Sequence, residues 1–489
     1  MHNTASPLGV PVPSTGKPGV VLAVLATAGI VAALMQTLVI PLLGQFPQLL
    51  HTTPANATWV VTITLLIGAV TTPVAGRLGD MYGKRSILLA SIVPLAAGSV
   101  VCALATSVAP MILGRGLQGM GVGIIPLGIS ALRDLLPPER LGGAIALISS
   151  SLGIGGALGL PIAAAVVEYS DWRVLFWGSA VLVSAVGVLI FLLVPATPAA
   201  DAGGRFDFAG ALGLGIGLVS LLLAVSKGSG WGWSSPSILG LFAIAVLALA
   251  IWGWWELRSR DPLVDLRTTA RPQVLLTNVT SIVVGMAMYA QSLIAPQLLQ
   301  LPTSTGYGLG QSMMAMGLWM APSGLMMMLI SPLGAKLSAV RGPKITLMVG
   351  CVVIAVGYGS AQLLMGTTWG LLAVAVIISS GTGFAYGAMP ALIMSSVPLS
   401  ETAAANGFNT LMRSIGTSFA AAIVGAVLAQ LSTTIGGHVI PSDGGIRVAW
   451  FFGLGVAALG AVVAALIPAR RTLVEPAPRP AADKVGATV

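Results

Sequence analysis

Long apolar runs separated by short polar stretches dominate this chain of 489 residues. A membrane-spanning helix needs about 20 consecutive apolar residues. On that basis the hydrophobic pattern predicts fourteen spans, over about 18–44, 57–75, 85–106, 109–132, 141–167, 173–194, 208–226, 236–256, 274–299, 311–335, 344–365, 369–395, 405–431 and 448–468. The expected fold class is therefore an all-α integral membrane protein with fourteen transmembrane helices.

Composition agrees with this expectation. Only 8% of the residues are charged, whereas soluble domains carry about 25%. In a soluble protein the net charge of +9 would suggest a nucleic-acid partner. In a membrane protein it indicates basic loops that face anionic lipid, so the bilayer is the expected partner and nucleic acid is not.

The distribution of Lys and Arg predicts the orientation of the chain. With both termini inside, Arg173, Lys227 and Arg447 fall outside, while Arg115 and Arg413 lie within spans. The other 18 fall inside: Lys17, Arg77, Lys84, Arg85, Arg133, Arg140, Arg205, Arg258, Arg260, Arg267, Arg271, Lys336, Arg341, Lys344, Arg470, Arg471, Arg479 and Lys484. Cytoplasmic loops carry an excess of Lys and Arg. Together with abundant glycine, a hint of a GC-rich genome, this bias predicts a multi-pass protein of a bacterial cytoplasmic (inner) membrane, with both termini cytoplasmic.

A weak internal repeat predicts the domain organisation. The glycine-rich basic stretch Gly76–Arg85 follows the second span, and Gly334–Lys344 follows the tenth span 258 residues later. Secondary transporters are often built from such repeats. We expect two six-helix pseudo-repeat bundles plus two inserted helices. The predicted domains are a cytoplasmic tail (1–17), an N-terminal bundle (18–195), a linker with two extra helices (196–272), a C-terminal bundle (273–470) and a disordered cytoplasmic tail (471–489).

The stretch after the second span carries the most specific motif. It reads Gly-Arg-Leu-Gly-Asp-Met-Tyr-Gly-Lys-Arg and includes Gly76, Asp80, Gly83, Lys84 and Arg85. An ordinary basic loop is the plainer reading. The spacing, however, resembles the signature loop between helices 2 and 3 of the major facilitator superfamily of transporters. The resemblance implies that this loop is a conformational switch that latches the cytoplasmic side.

Two contacts are expected for the switch loop. A helix N-terminus favours an anion, and we expect Asp80 to lie against the opposite half, near the start of the eleventh span around Pro343. Asp134 at the end of the fourth span is expected to pair with Arg85 across the cytoplasmic face.

The fourth span contains Arg115, Gln118 and Gly119 in the pattern Arg-x-x-Gln-Gly-x-Gly. An arginine in a membrane is costly and usually functional, although it can also snorkel from near a helix end. The pattern resembles the helix 4 motif of the same superfamily, in which the arginine is implicated in proton coupling. We expect Arg115 to face the bundle interior and to contact Gln118, a backbone carbonyl or a polar group of helix 1 or 5.

Further stretches resemble the fourteen-span drug:proton antiporters of that superfamily. In the fifth span, Gly155, Gly159 and Pro161 partly match the helix 5 motif of drug exporters, although such glycines also serve close helix packing. In the thirteenth span, Asn406, Asn409 and Arg413 fall on one helical face, which lines either a cavity or a helix interface. Nine methionines cluster in the ninth and tenth spans. Most are expected to face lipid or packing partners, and a minority to form an adaptable pocket.

The first span departs from those antiporters. They usually carry Leu-Asp-x-Thr there, and this chain has Met35 in place of the aspartate. A proton-driven carrier needs a titrating group on its pathway. Glu168, near the outer end of the fifth span, is the candidate proton site, and a plain interfacial glutamate is the alternative.

The resemblance implies a secondary active transporter that exports amphipathic or hydrophobic small organic compounds by proton antiport with alternating access, acting as a monomer. The expected partners are a small-molecule substrate and protons. The expected cavity residues are Gln36, Thr37, Gln118, Tyr289, Gln291, Tyr386, Asn409 and Arg413. The alternative is a narrower transporter of a metabolite, sugar or lipid, or a facilitator without proton coupling. No Walker loop, metal-ligand spacing or nucleophile/base constellation occurs in the sequence, so no cofactor, no metal and no enzymatic activity are expected, and a membrane sensor or enzyme is disfavoured.

Overall fold

The computed structural model describes residues 18–43, 45–196, 199, 204–435 and 438–468. Fourteen helices within these residues are long and apolar enough to cross a membrane. They are α1 (Pro18–Thr37), α2 (Trp59–Tyr82), α3 (Lys84–Leu104), α4 (Val108–Leu135), α5 (Pro138–Tyr169), α6 (Arg173–Leu193), α7 (Phe208–Trp231), α8 (Pro236–Glu256), α9 (Pro272–Gln300), α10 (Met313–Arg341), α11 (Pro343–Leu364), α12 (Thr368–Met394), α13 (Thr402–Gln430) and α14 (Asp443–Leu466). The predicted fold class is confirmed, whereas the predicted tails 1–17 and 471–489 lie outside the described residues.

Several elements deviate from plain spanning helices. α4 is interrupted by a turn between Gly119 and Ile124. Short helices cover Ile40–Leu42, Phe46–Leu49, Pro54–Ala57, Leu266–Thr269, Thr303–Thr305 and Leu399–Glu401. A two-stranded antiparallel hairpin, β1 (Ser432–Ile435) and β2 (His438–Pro441), pairs Ser432 with Pro441 between α13 and α14. We call the side where α2 ends and α13 begins the Asp80 face, and the opposite side, which carries the hairpin, the far face.

The stretch Gly76–Arg85, expected to be a turn, is mostly helical. α2 continues to Tyr82 and α3 begins at Lys84, so Gly83 alone makes the reversal. Its φ of 89° lies where side-chain-bearing residues are strained. Gly342, with φ of 87°, makes the same reversal between α10 and α11. The two stretches thus share backbone geometry although their sequences have diverged.

Two pairs of helices join the first six helices to the last six. α5 packs against α10, and α13 packs against α2. In each pair, a fifth helix of one bundle lies against the second helix of the other, as a pseudo-twofold arrangement requires. The boundaries of the domains themselves stay a prediction.

Glycines permit the close approach in both pairs. A Cβ on Gly324 of α10 would overlap the backbone carbonyl of Gly153 in α5. A Cβ on Gly407 of α13 would lie 2.9 Å from the carbonyl oxygen of Thr72 in α2. Small residues are what let membrane helices meet backbone to backbone. These two seams, as we call the α5–α10 and α2–α13 interfaces, therefore bring helix backbones of the two bundles into close contact.

The inserted helices lie outside the two bundles. Leu214 and Leu218 of α7 share an apolar cluster with Leu66 of α2 and Phe408 of α13. Lys227 of α7 also donates a 2.7 Å hydrogen bond to the Thr58 hydroxyl before α2. α7 thus covers the outside of the α2–α13 seam, and α8 packs mainly on α7.

The positive φ at Gly342 gives a stability prediction. An alanine at this position would be held in a backbone conformation with positive φ, which costs about 1–3 kcal/mol for a residue with a Cβ. Gly342→Ala should therefore lower the thermal midpoint of the purified protein. Gly366 is the matched control, because it lies in the turn after α11, has no positive φ and has open space where a Cβ would go. Equal midpoints for Gly342→Ala and Gly366→Ala would contradict the assigned geometry.

Candidate functional site

The Asp80 carboxylate links the two bundles across the α2–α13 seam. It accepts hydrogen bonds from the backbone N–H of Ala403 at 3.0 Å and of Ala404 at 2.9 Å. These N–H groups belong to the first turn of α13, where a helix has unsatisfied donors and a partial positive charge. Asp80 is fully buried. The arrangement holds the beginning of α13 against the end of α2.

Gly76 explains how the carboxylate reaches its partners. A Cβ at this position would lie 2.5 Å from the carbonyl oxygen of Ala403. Only glycine allows the last turns of α2 to pass so near the start of α13. The spacing Gly76-x-x-x-Asp80 places both residues on one face of α2, so the same face provides the close approach and the anion.

The expected contact of Asp80 with a helix N-terminus of the opposite half is confirmed, but the predicted helix was wrong. The carboxylate binds the N-terminus of α13 and not that of α11 around Pro343. The two N-termini lie on the same face of the molecule, and a charge pattern does not distinguish them. The helix that crosses α2 at the seam decides the contact, and that helix is α13.

The predicted partner of Asp134 was also wrong. Lys84, not Arg85, contacts Asp134, with 2.6 Å between Nζ and Oδ2. Lys84 is 1% exposed and also lies 3.7 Å from Asp80. The Arg85 side chain turns the other way and donates to the carbonyl oxygen of Phe191 in α6. Adjacent residues on a helix point about 100° apart, so only one of the two cations can face Asp134.

A second group of hydrogen bonds reinforces the same seam from α4. Arg133 donates to the Thr402 hydroxyl at 2.7 Å. Ser130 donates to the Thr402 carbonyl at 3.3 Å, and the Asn406 amide donates to that carbonyl at 3.0 Å and to Ser130 at 3.3 Å. Together with Asp80 and Lys84, these residues form what we call the Asp80 latch.

Arg115 lies inside the N-terminal bundle and is 2% exposed. Its guanidinium donates to the Gln118 side chain at 2.6 Å, to the Met35 carbonyl at 3.0 Å and to the Val60 carbonyl at 3.2 Å. Gln118 in turn donates to Ser99 at 2.9 Å. The predicted inward orientation and contacts are confirmed, and a role in proton coupling stays a prediction. Arg115 ties α4 to the backbones of α1 and α2.

Gly119 and the fifth-helix glycines serve close packing. A Cβ at Gly119 would meet the Thr64 carbonyl of α2 at 2.7 Å. A Cβ at Gly155 or at Gly159 would overlap α1, at Ile30 and Thr37 respectively. Pro161 faces α10, where it packs on Gly317. α5 is therefore pressed between α1 of its own bundle and α10 of the other.

A cavity of about 480 Å³ lies between the bundles in the far half of the molecule. We call it the central cavity. Its walls are mostly apolar and small, with a few hydroxyl and amide groups. Its lining includes Thr37, Ile40, Pro41, Gly153, Gly156, Ala157, Leu160, Met288, Gln291, Ser292, Gln297, Gln300, Met313, Met316, Met320, Ser323, Gly324, Met327, Ser379 and Thr382. Every lining residue is uncharged.

Only two of the predicted cavity residues, Thr37 and Gln291, line the central cavity. Gln36 and Gln118 instead border a small gap beside Arg115. Tyr386, Asn409 and Arg413 border another small gap between the bundles. The Tyr289 side chain is half-buried and lines neither the central cavity nor these gaps.

More methionines line the central cavity than the sequence predicts. Five of the nine, namely Met288, Met313, Met316, Met320 and Met327, line the central cavity. The signal was present, since they cluster in neighbouring helices of one bundle. Flexible, polarizable thioethers adapt to differently shaped apolar ligands.

The candidate proton site at Glu168 fails on geometry. A titrating group on the transport pathway is expected to be at least partly buried, whereas the Glu168 side chain is exposed at the end of α5. It is also not among the residues that line the central cavity. Proton coupling through a buried Glu168 is therefore wrong, and the interfacial alternative describes its position.

The central cavity continues toward the far face. Leu293, Gln297 and Gln300 line both the cavity and a groove of about 680 Å³ beneath the β hairpin. Tyr307 fixes the hairpin by donating from its hydroxyl to the Pro441 carbonyl at 2.5 Å. Burial, together with the neighbouring Asp443 carboxylate, raises the pKa of Tyr307 above its usual value, so the phenol remains a donor.

Comparisons with known proteins agree with this architecture. A family model described as Major Facilitator Superfamily matches residues 25–421. An uncharacterized MFS-type transporter of Mycobacterium tuberculosis is 28% identical over 433 residues, which are 87% of this chain and 61% of that relative. The chain thus spans about three fifths of that relative's length. Multidrug resistance protein Stp of the same organism is 27% identical over 393 residues, covering 78% of this chain and 70% of that relative.

A solved structure extends the comparison to the fold. The MFS proton:xylose symporter XylE superposes with a TM-score of 0.63 at 13% identity, over 92% of this chain and 96% of that one. At this identity the likeness concerns the fold alone.

The Asp80 latch gives a prediction about local stability. Asp80→Asn removes the charge and one acceptor from the first turn of α13. Hydrogen bonds to charged groups contribute about 1.5–3 kcal/mol each. Amide exchange at Ala403 and Ala404 should therefore accelerate roughly tenfold or more. Asp443→Asn, which breaks an exposed ion pair with Arg447 on the far face, should leave that exchange unchanged. Unchanged protection in Asp80→Asn would show that the carboxylate does not hold this turn.

Arg115 gives a second prediction. A lysine ammonium is a point charge that cannot reproduce the planar fork that reaches Gln118, Met35 and Val60 together. Arg115→Lys should therefore lower the thermal midpoint by several degrees, whereas Arg447→Lys at the exposed far-face site should not. Identical melting curves for Arg115→Lys and the wild type would contradict the structural role given to these bonds.

Proposed function

The chain belongs to the major facilitator superfamily, and on that premise we propose that it exports amphipathic or hydrophobic small organic compounds by alternating access. As a member of this family, it is a membrane transporter and not an enzyme. The substrate class, the direction and the driving force are the parts that we propose.

The central cavity carries the proposal. Its lining is uncharged and includes five methionines, with Gln291, Ser292 and Thr382 among the polar groups. Such a surface favours an apolar ligand that makes a few hydrogen bonds. Promiscuous binding sites often use flexible methionine-rich walls that repack around different partners. The name of the relative Stp supports the same substrate class for this chain.

The seams support a rocking mechanism. The two bundles meet mainly along α5–α10 and α2–α13, and glycines at both seams let the backbones slide. The Asp80 latch joins the bundles on one face, while the central cavity lies toward the other. We assign this conformation to the state in which the Asp80 face is closed. Breaking the latch would open that face and expose the cavity region to it.

The basic residues support the orientation. Among described residues, thirteen Lys and Arg lie at the Asp80 face and three at the far face. We therefore propose that the Asp80 face is cytoplasmic and that both termini lie on that side. Export then means loading from the cytoplasm or inner leaflet after the latch opens, and release at the far face along the groove beneath the β hairpin.

For the driving force, we propose exchange with protons, which the resemblance to drug:proton antiporters supports. A facilitator without proton coupling is the second candidate, and one observation favours it. All residues that line the central cavity are non-titrating apolar, amide or hydroxyl residues. A proton site would then have to lie outside the cavity lining.

Transport by the purified protein in proteoliposomes tests the proposed site. Ser292 is exposed into the central cavity, so Ser292→Trp should occupy the space with little effect on packing. We expect the export rate of an uncharged dye such as phenylnaphthylamine to fall to the background of empty liposomes. Ser304→Trp, in an exposed turn on the far face, is the matched control and should transport normally.

The same liposomes test the driving force. An imposed pH difference that is acidic on the side of the far face should accelerate dye export by the wild type, because protons then run down their gradient toward the cytoplasmic face. If the pH difference does not accelerate export while downhill transport persists, the facilitator is favoured.

Normal transport by Ser292→Trp would overturn the assignment of the cavity as the substrate site.

A further inference from the structure

Arg115 and Arg413 both lie away from the ends of membrane-spanning helices, and their surroundings differ sharply. Arg115 is buried in one bundle, and its guanidinium donates to three acceptors of that bundle. Arg413 lies in the middle of α13, where it faces the other bundle. Both side chains carry the same donor group.

Most of the donor capacity of Arg413 is unused. A guanidinium offers five N–H donors. In the described part of the chain, Arg413 makes one long side-chain hydrogen bond, to the Thr410 hydroxyl at 3.4 Å. Its Cζ atom also lies 4.6 Å from the centre of the Tyr386 ring. No Asp or Glu of the described residues forms an ion pair with it.

Such a cation is costly to keep inside a membrane protein without an anionic partner. The nearby polar side chain of Asn409 does not depend on it for hydrogen bonding. The Asn409 amide donates to Asn278 at 2.8 Å and to Ser281 at 2.7 Å. The guanidinium instead borders a gap of only about 10 Å³ between the bundles, opposite Pro126 and Leu152.

The gap adjoins the central cavity. Leu152 lines both spaces. The Tyr386 hydroxyl, on the ring that Arg413 faces, lies 2.8 Å from the sulfur of Met288, and Met288 lines the cavity. One layer of side chains, formed by Leu152, Met288 and Tyr386, therefore separates the guanidinium from the cavity. Because the gap lies between the bundles, their separation at the Asp80 face would uncover it.

We propose that Arg413 is the substrate-charge recognition residue, and that the exported compounds are preferentially amphipathic organic anions such as carboxylates or sulfonates. The anionic group would bind the guanidinium fork, which matches planar or tetrahedral oxyanions. The apolar body would occupy the methionine-lined central cavity. This inference rests on the proposed function, and it adds the sign of the substrate's charge and the residue that reads it.

A pair of probes with the same aromatic framework tests the inference. Anilinonaphthalene sulfonate carries one negative charge, and phenylnaphthylamine lacks the sulfonate. Binding is measured by fluorescence on the full-length protein in nanodiscs, with empty nanodiscs subtracted. We expect the wild type to bind the sulfonate about tenfold more tightly than the amine. Arg413→Gln should abolish this preference by weakening sulfonate binding while leaving amine binding unchanged.

Two variants make the result specific. Arg447→Gln removes an arginine from the far face, where it pairs with Asp443 at 2.8 Å, and it should retain the full preference. Arg413→Met supplies a second substitution should the glutamine variant not fold, and it should behave as Arg413→Gln is expected to.

Each contrary result overturns the inference. A wild type that binds the amine as tightly as the sulfonate excludes an anion site, whether or not any variant folds. Preference retained in Arg413→Gln assigns the charge reading to another residue. Equal loss of both probes in Arg413→Gln, with a lowered thermal midpoint, makes Arg413 structural. In these cases the proposed function would still be supported if the wild type transports the amine and Ser292→Trp does not. A wild type that neither binds nor transports the amine would overturn the proposed function itself.

Discussion

The structure depends on one carboxylate placed at the N-terminus of a helix from the other bundle. Asp80 is buried, and it accepts from two backbone N–H groups of α13 that have no acceptor within their own helix. A buried carboxylate without partners would be strongly unfavourable, and so would a buried helix N-terminus. Each satisfies the other only while the bundles touch. Closure of the Asp80 face is therefore tied to a contact that must be replaced by water or other partners when the face opens.

The remaining features follow from that dependence. Gly76 allows the approach, Gly83 reverses the chain so that Lys84 can reach Asp134, and Arg133 secures Thr402. The equivalent stretch in the second bundle keeps the reversal at Gly342 but has Ser338, whose hydroxyl bonds Thr346 in its own bundle at 2.8 Å. In the part of the chain that the structure describes, a buried carboxylate bridges the α2–α13 seam. Glycines bring the backbones together at the α5–α10 seam.

The sequence was sufficient for the architecture because spans, basic loops and glycine reversals leave local signals. Fourteen apolar runs, and the glycines that reverse the chain at Gly83 and before Pro343, can each be read without long-range information. Partner identity could not be read in this way. Two helix N-termini on the same face were possible partners of Asp80. Two adjacent cations, Lys84 and Arg85, were possible partners of Asp134.

The cavity was harder to predict for a different reason. The sequence predicts a cavity lined by polar residues of the helices, but some of these residues are hydrogen-bonded to other side chains of their own bundle: Gln118 accepts from Arg115, and Asn409 donates to Asn278. Buried polar groups are nearly always hydrogen-bonded to a partner. The walls of the open space are therefore formed mostly by small residues, hydroxyl-bearing residues and methionines. Glu168 shows the converse, since an acidic residue at a helix end favours exposure unless tertiary packing covers it. Arg413 is the exception, because its guanidinium makes one long hydrogen bond, whereas that of Arg115 donates to three acceptors.

The central claim is that the bundles separate at the Asp80 face during transport. Spin labels at Tyr82 and Leu399, both exposed on that face, would report the distance between the bundles by double electron–electron resonance. If the bundles separate at the Asp80 face, the resting protein should show a single short distance, and a second, longer population should appear when a transported amphipathic compound is added. One unchanged distance, with transport proceeding in the same sample, would contradict it.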